Sequence, residues 1–324
     1  MAISGNVFSN KQFELFVADQ STMGTANTTA GEFMQFSVVN VSDVDFGGGL
    51  VQERTLRSGQ QVKRASDHYV SQKGSFASVS FEWVVDHKEG LDLLLKMVSE
   101  TASSPYVWTG SETPLTYNHG ASTGEMATVI ISNPNTGDDR VLHSAILTEL
   151  NLSFQADSEG GRLVSSGTFY SGYLPTVGAN TISPGVSTNA YVKTVFDLTT
   201  KQIGGNDVVA RAFDLNFAYP GLRIGYQGSN GEAEQYARSG EYVVSGSATV
   251  KYDANTDGEL AGFLAGSSKA ITMSDGSTCI ISLPSVVYTG YNLDLGDNEE
   301  GVFVEIPFEA TASGSNNLYS ITIG

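Results

Sequence analysis

One cysteine, few cations and no long apolar run set the first limits on this chain. With Cys279 alone, no intrachain disulfide can form and no cysteine-based zinc set can be assembled. Its neighbours Ile280 and Ile281 place it in an apolar stretch, where a lone thiol behaves as a small buried hydrophobe. Lys and Arg number 17 against 35 Asp and Glu, a formal net charge of -18. That sign repels phosphates and argues against tight DNA or RNA binding. No uninterrupted apolar stretch approaches the roughly 18 residues of a membrane-spanning helix. The opening residues, MAISGNVFSNKQFELFVADQ, lack a basic segment followed by an apolar one. No secretory signal is therefore read, and synthesis in a cytoplasm is expected.

Catalytic and ligand-binding patterns are also missing. Gly120-Ala121-Ser122-Thr123-Gly124 formally matches a nucleophile elbow, but polar residues precede it and a strand-like MATVIIS follows, where a helix is required. Asp253-Ala254-Asn255-Thr256-Asp257-Gly258 begins like a calcium loop, yet its twelfth position is Leu264 instead of a bidentate Glu. A turn followed by a helix cap is the reading for that segment. His68, His87, His119 and His143 show no metal-binding spacing and are expected at the surface or in turns. Acidic pairs such as Asp138–Asp139 and Glu299–Glu300 sit in Gly- and Asn-rich turns, where solvation is the plain explanation. Gly47-Gly48-Gly49 leads into Leu-Val-Gln and not into a phosphate-binding helix start. The sequence thus predicts no enzyme, no catalytic residue, no metal site and no cofactor.

What is present is the vocabulary of β-structure. The chain has 324 residues, more than one core usually organises, so two domains are expected. Thirty-six glycines accompany recurrent Ser, Thr, Val and Tyr, a mixture suited to strands joined by tight turns. The two halves share a pattern. SFASVSFEWVVDHKEGLDLLLKMV from Ser75 and YVVSGSATVKYDANTDGELAGFLAG from Tyr242 each read as an alternating strand, an Asp (Asp86 or Asp253), and a short helix. Leu91, Leu94, Leu95 and Val98 recur at helical spacing, as do Leu260, Phe263 and Leu264. Asp86 stands at an expected N-cap. Strand-like segments follow at residues 127–132, 141–154 and 163–173, and again at 269–273, 279–283, 286–295 and 302–310. Each half closes on a hairpin with apolar alternation, as in Leu150, Leu152 and Phe154. PTVGANTISPGVSTN, from Pro175 to Asn189, reads as the linker, giving domains over 1–178 and 179–324. The arm Met1–Gly31 and the tail Ser313–Gly324 have polar, weakly patterned character.

This order of elements resembles the tail tube proteins of bacteriophages with long, non-contractile tails. The strands Val79–Asp86 and Ser245–Asp253, the helix after each, and the closing hairpins carry the resemblance, which covers roughly residues 33–175 and 190–312. It implies a mainly β fold of two tandem sandwich or half-barrel domains, each with one short helix. It implies a virion structural protein, the major tail tube subunit, whose domains join edge to edge in rings that stack into a hollow tube. Two domains per chain imply three chains per pseudo-hexameric ring. Other copies, tape-measure, tail-tip and tail-terminator proteins are the implied partners, and DNA transits a net-negative lumen unbound. The family's long docking loop maps onto Val51–Gly74, whose Arg54, Arg57, Lys63, Arg64 and Lys73 face only Glu53 and Asp67 in charge. A solvated loop is the plain alternative. Another functional class stays open: a virion decoration or receptor- or carbohydrate-binding module, with Trp108, Tyr117, Tyr170 and Tyr173 as candidate stacking aromatics.

Overall fold

The computed structural model describes residues 13–37, 39–45, 51–54, 68–71, 76–98, 101–104, 107–109, 116–118, 121–122, 126–133, 138–178, 190–228, 231–238, 241–295, 301–312 and 318–324. Among them the chain is mainly β, with antiparallel strands and two short α-helices, and most strands belong to one 19-stranded sheet.

Two series of pairings build that sheet. In the first, Glu14–Gln20 lies on Met126–Asn133, which lies on the start of the long strand Asp138–Gln155. The later part of that strand pairs with Leu163–Ser171, then Ala77–Val84 and Val39–Asp45 follow. In the second, Thr200–Ile203 lies on Lys269–Ser274, which lies on Cys279–Tyr288. Val286–Tyr288 and the next strand, Asn292–Asp294, both pair with Phe303–Ala310, followed by Val243–Lys251 and Ala210–Ala218. The two series meet where Glu149–Gln155 pairs with Ala212–Ala218.

The long strand Asp138–Gln155 can serve two neighbourhoods because it turns at Ser144, a non-glycine residue at φ 52°. Its turn is held by Gln20, whose amide oxygen accepts from Ser144 N at 2.7 Å and whose nitrogen donates to Ser144 Oγ at 2.8 Å. Such a satisfied buried polar network fixes a backbone that would otherwise relax.

Alternation makes the core. Leu150, Leu152 and Phe154 face Phe217, Leu215 and Phe213 across the joint, and all six are buried. Burying each such side chain contributes about 1.5–3 kcal/mol. Phe81 stacks on Phe169 at 5.0 Å and Phe213 on Phe308 at 6.0 Å, so one apolar cluster runs through both halves. Close packing requires glycine at Gly246, where a Cβ would strike the carbonyl of Asp214 and lie 2.7 Å from the Phe308 ring.

Helix α1, Lys88–Val98, buries Leu91, Leu94, Leu95 and Val98 as its spacing predicts. Helix α2, Ala254–Leu264, does not follow its own spacing. It buries Thr256, Glu259 and Gly262, while Leu260 and Leu264 are exposed and Phe263 only borders the core. Glu259 sets this orientation: its carboxylate accepts from Tyr288 OH at 2.7 Å and Asn206 at 3.3 Å, and Lys269 Nζ lies 3.5 Å away. Asp253 caps α2, accepting from the backbone of Asn255 and Thr256, as its turn-plus-cap reading requires. The carboxylate of Asp86, at the corresponding place before α1, accepts from Trp83 Nε1 at 3.1 Å and meets His87 Nδ1 at 2.6 Å.

Several expectations need correction. The arm is not unpatterned throughout, since Glu14–Gln20 is a strand with Leu15, Phe16, Val17 and Ala18 buried. Nor is the tail, since Ser320–Ile323 pairs with Cys279–Ser282 on one side and Val107–Thr109 on the other. Segments 279–283 and 286–288 form one strand rather than two. The expected linker begins as a short strand, Thr176–Gly178, on Asp139–Val141; residues 179–189 lie outside the described residues. His87, expected at the surface, is buried beside Trp83 and Phe36.

Candidate functional site

The joined sheet has one face in the core and another with a distinct chemistry. Period-two alternation sends every second side chain of each strand to that outer face. Because the strands pair in register, these side chains line up in rows across both halves. One row runs Asn40, Glu82, Ser166, Asn151, Asn216, Ser245 and Glu309. Beside it lie Ser42, Ser80, Thr168 and Glu149, and on the other side Ser153, Asp214 and Ser247. Thr249, Glu305 and Asn292 extend the face to its end. Short hydroxyl and amide side chains dominate, and Ser80 Oγ and Thr168 Oγ1 bond to each other at 2.9 Å.

Among the described residues, acidic side chains outnumber basic ones on this face. Glu82, Glu149, Asp214, Glu305 and Glu309 stand on it, with Lys251 at its margin. Arg162 sits beside Glu82 and Asp214 at one depression of the surface but turns its guanidinium to Val85 O, at 3.1 Å. Arg211 is drawn to Asp157 at 2.6 Å and stacks over Phe303. Both arginines are thus held by protein partners. A polyanion near the face meets carboxylates and hydroxyls, and an anion of that kind finds few grips.

The face ends at two edge strands. Among the described residues, Val39–Asp45 and Asn292–Asp294 each have one strand neighbour, Ala77–Val84 and Phe303–Ala310 respectively. Edge strands present backbone N–H and C=O groups to any further strand. The core side of both edges is incompletely covered, with Val44 at 40 %, Leu293 at 38 % and Leu295 at 73 % exposure.

The expected docking loop is described in part. Val51–Arg54 and His68–Ser71 form an antiparallel pair that sets Arg54 opposite His68. Arg57, Lys63, Arg64 and Lys73 lie outside the described residues. Of the candidate stacking aromatics, Tyr173 is buried, its hydroxyl donating to Ala233 O, and Tyr170 is half-buried against Tyr236. The side chains of Trp108 and Tyr117 lie outside the described residues. Among the described residues no group of three or more His, Cys, Asp and Glu could hold a metal ion, and no helix is long and apolar enough to cross a membrane. Sequence reasoning assigned the acidic turns to solvent and missed the polar face. Its members are separated by up to 269 positions, from Asn40 to Glu309, and only strand pairing brings them together. The one signal available was the polar half of each alternating strand.

Comparison of the chain with protein-family models and with curated proteins found no match.

Proposed function

We propose that this chain is a structural virion protein, the repeating subunit of a phage tail tube, built from two copies of one domain and carrying no catalytic activity. The observation that carries the reading is the continuous hydroxyl- and carboxylate-lined face that crosses both halves of the sheet. Such a face suits a channel wall that DNA slides past without being held.

The topology supports the duplication. Reading outward from Glu14–Gln20 or from Thr200–Ile203, the same sequence of antiparallel partners is met, ending at Val39–Asp45 or Ala210–Ala218. In both halves the helix follows the equivalent strand, Ala77–Val84 or Val243–Lys251. The intrachain joint then has a direction: the hairpin strand of the first copy takes the edge strand of the second. Asn292–Leu293 and Val39–Ser42 are the same two partners left at the ends of the run. A further chain joining there repeats the contact head to tail, and a head-to-tail contact that closes makes a ring. Three chains supply six domains, the stoichiometry that the resemblance implies. Stacked rings, a tape-measure protein inside, and tip and terminator proteins at the ends complete the proposed assembly.

Negative-stain microscopy with mass photometry of the purified, concentrated chain tests this. Rings or hollow tubes containing multiples of three chains are expected. Six chains per ring would remove the duplication argument. A chain that stays single even with tail-tip complex added would overturn the tube reading.

A further inference from the structure

Gly221–Ile224 and Gln235–Arg238 form an antiparallel hairpin that stands apart from the large sheet and lies on the N-terminal half. Its seat is narrow. Ala233 N donates to Gly172 O at 2.9 Å, Gly172 N to the Tyr236 hydroxyl at 2.6 Å, and the Tyr173 hydroxyl to Ala233 O at 3.0 Å. Gln227 Nε2 donates to Ala233 O at 3.0 Å and lies 3.2 Å from the Tyr173 hydroxyl. Ala233 and Tyr236 join Met23, Met126, Ile146 and Tyr173 in a small apolar cluster separate from the main core. Gln235–Ala237 also pairs with Thr116–Asn118. A contact of this size, outside the main core, is of the kind that opens without global unfolding.

His143 stands beside this seat. Its ring meets the Tyr173 ring edge to face at 4.7 Å, and Ser171 Oγ donates to its carbonyl at 2.6 Å. The residue as a whole is half-buried, but Nδ1 is fully enclosed and has no hydrogen-bond partner among the described residues. Its backbone cannot swing aside, because the next residue, Ser144, is held by Gln20 and accepts from Gly24 N at 2.8 Å. A neutral imidazole tolerates the enclosure with its proton on Nε2. An imidazolium puts a charged N–H there with no acceptor. Burial accordingly pushes His143 below the ordinary histidine value, and the Glu232 carboxylate on the hairpin offsets part of that. The other titratable groups of the seat are Tyr173, pushed up to about 12, and Tyr236, also pushed up, both by burial and both neutral. Gln20–Thr25 and Met126–Asn133, on the other side, contain no charged side chain. On the hairpin, Arg223 turns to Gly231 O and the Tyr226 ring, and Glu234 is exposed.

We infer that the hairpin 221–238 is an acid-released clamp between the two halves of the chain, opened by protonation of His143. With the backbone at Ser144 pinned, the charged ring gains water only when the hairpin lifts. A histidine depressed in the seated state stabilises the seat above its ordinary value, about pH 6.5. That contribution is lost as pH falls through the depressed value of the seated state. Release uncovers Tyr173 and Tyr236 on the N-terminal side while the main sheet keeps its pairing. The clamp needs only one chain and does not depend on the tube reading.

Hydrogen exchange of the full-length chain, read by mass spectrometry at about pH 7.5 and about pH 5 and corrected for the intrinsic pH dependence of exchange, tests it. Protection of peptides covering 226–237 and 172–174 is expected to fall by about threefold or more at the lower pH, with Glu149–Gln155 and Val243–Lys251 unchanged. In His143→Gln the fall should disappear. In Glu232→Gln it should deepen, because the carboxylate no longer offsets burial, a response that a merely structural glutamate would not give. Equal protection of the wild type at both pH values, or a fall that persists in His143→Gln, would overturn the clamp. So would loss of protection throughout the chain, which is general acid unfolding. If His143→Gln does not fold, the histidine ring signals of the wild type decide by NMR titration. A His143 midpoint below the ordinary value, reached together with hairpin opening, is expected, and a midpoint at or above it would overturn the clamp.

Discussion

Cys279 and Asp275 lie four residues apart and owe opposite shifts to their surroundings. Burial pushes the Cys279 thiol up to about 11, outweighing the hydrogen bond with Tyr191 that works the other way. A thiol so raised holds little thiolate at neutral pH, and thiolate is the reacting form. A thiol reagent at pH 8 is therefore expected to label native protein extremely slowly and urea-unfolded protein at once. Fast labelling of folded chain would show that this part of the core opens. Burial also pushes the Asp275 carboxyl up, but the Lys193 ammonium, the Thr278 hydroxyl and the backbone N–H groups of Cys279 and Ser277 outweigh it and hold the carboxyl below its usual range. A depressed carboxyl stabilises the fold above its unfolded value, roughly pH 4, and that contribution is lost as pH falls through the folded value. Asp275→Asn should cost about 1–3 kcal/mol at pH 7 and flatten the loss of stability below pH 4, read from urea midpoints across pH. A variant with the wild-type pH profile would count against this account.

Among the elements, the two helices show how far periodicity can be trusted. Leu91, Leu94, Leu95 and Val98 announce the buried face of α1, because four apolar side chains at that spacing leave no competing orientation. In α2 the apolar side chains are fewer and small residues line several sides, so no face wins on hydrophobicity. The decision passes to Glu259, which finds Tyr288, Asn206 and Lys269 only in the folded chain. No spacing rule selects a glutamate as the inward residue of a short helix. Glu259→Ala should strand these partners and lower stability by about 1–3 kcal/mol, whereas Leu264→Ala, at an exposed position, should change the isolated chain little. Equal losses for the two variants in urea titrations would mean that α2 packs through its leucines after all. The same contrast holds for strands. Met126–Asn133 follows from its run of β-branched residues and Phe303–Ala310 from alternation, each nearly to the residue. Ser320–Ile323 was missed because four residues after a polar stretch carry too short a pattern.

At the scale of the molecule, the proposed channel wall turns on the sign of charge across the joint. Glu149, Asp214 and Glu305 come from three strands of both halves and stand on the same face. Replacing all three with Lys should leave the fold intact, since each side chain points away from the core. Assembled tubes of the variant should then retain short duplex DNA at about 50 mM salt and release it near 200 mM, following the steep salt dependence of phosphate contacts. Wild-type tubes should retain none at either salt, as read by co-sedimentation. Retention by the wild type would remove the sliding-wall proposal.

What the sequence determined by itself is the β class, the strand–helix–hairpin order in each half, the buried state of Cys279 and the acidic balance. These follow from local periodicity and composition, which act over a few residues. Only the tertiary structure decided that the halves share one sheet, that Gln20 holds the turn at Ser144, that Glu259 orients α2, and that polar side chains from Asn40 to Glu309 form one surface. Each of those depends on register between strands far apart in the chain. Register is set by the packing of facing side chains such as Phe154 and Phe213, an interaction no single segment encodes.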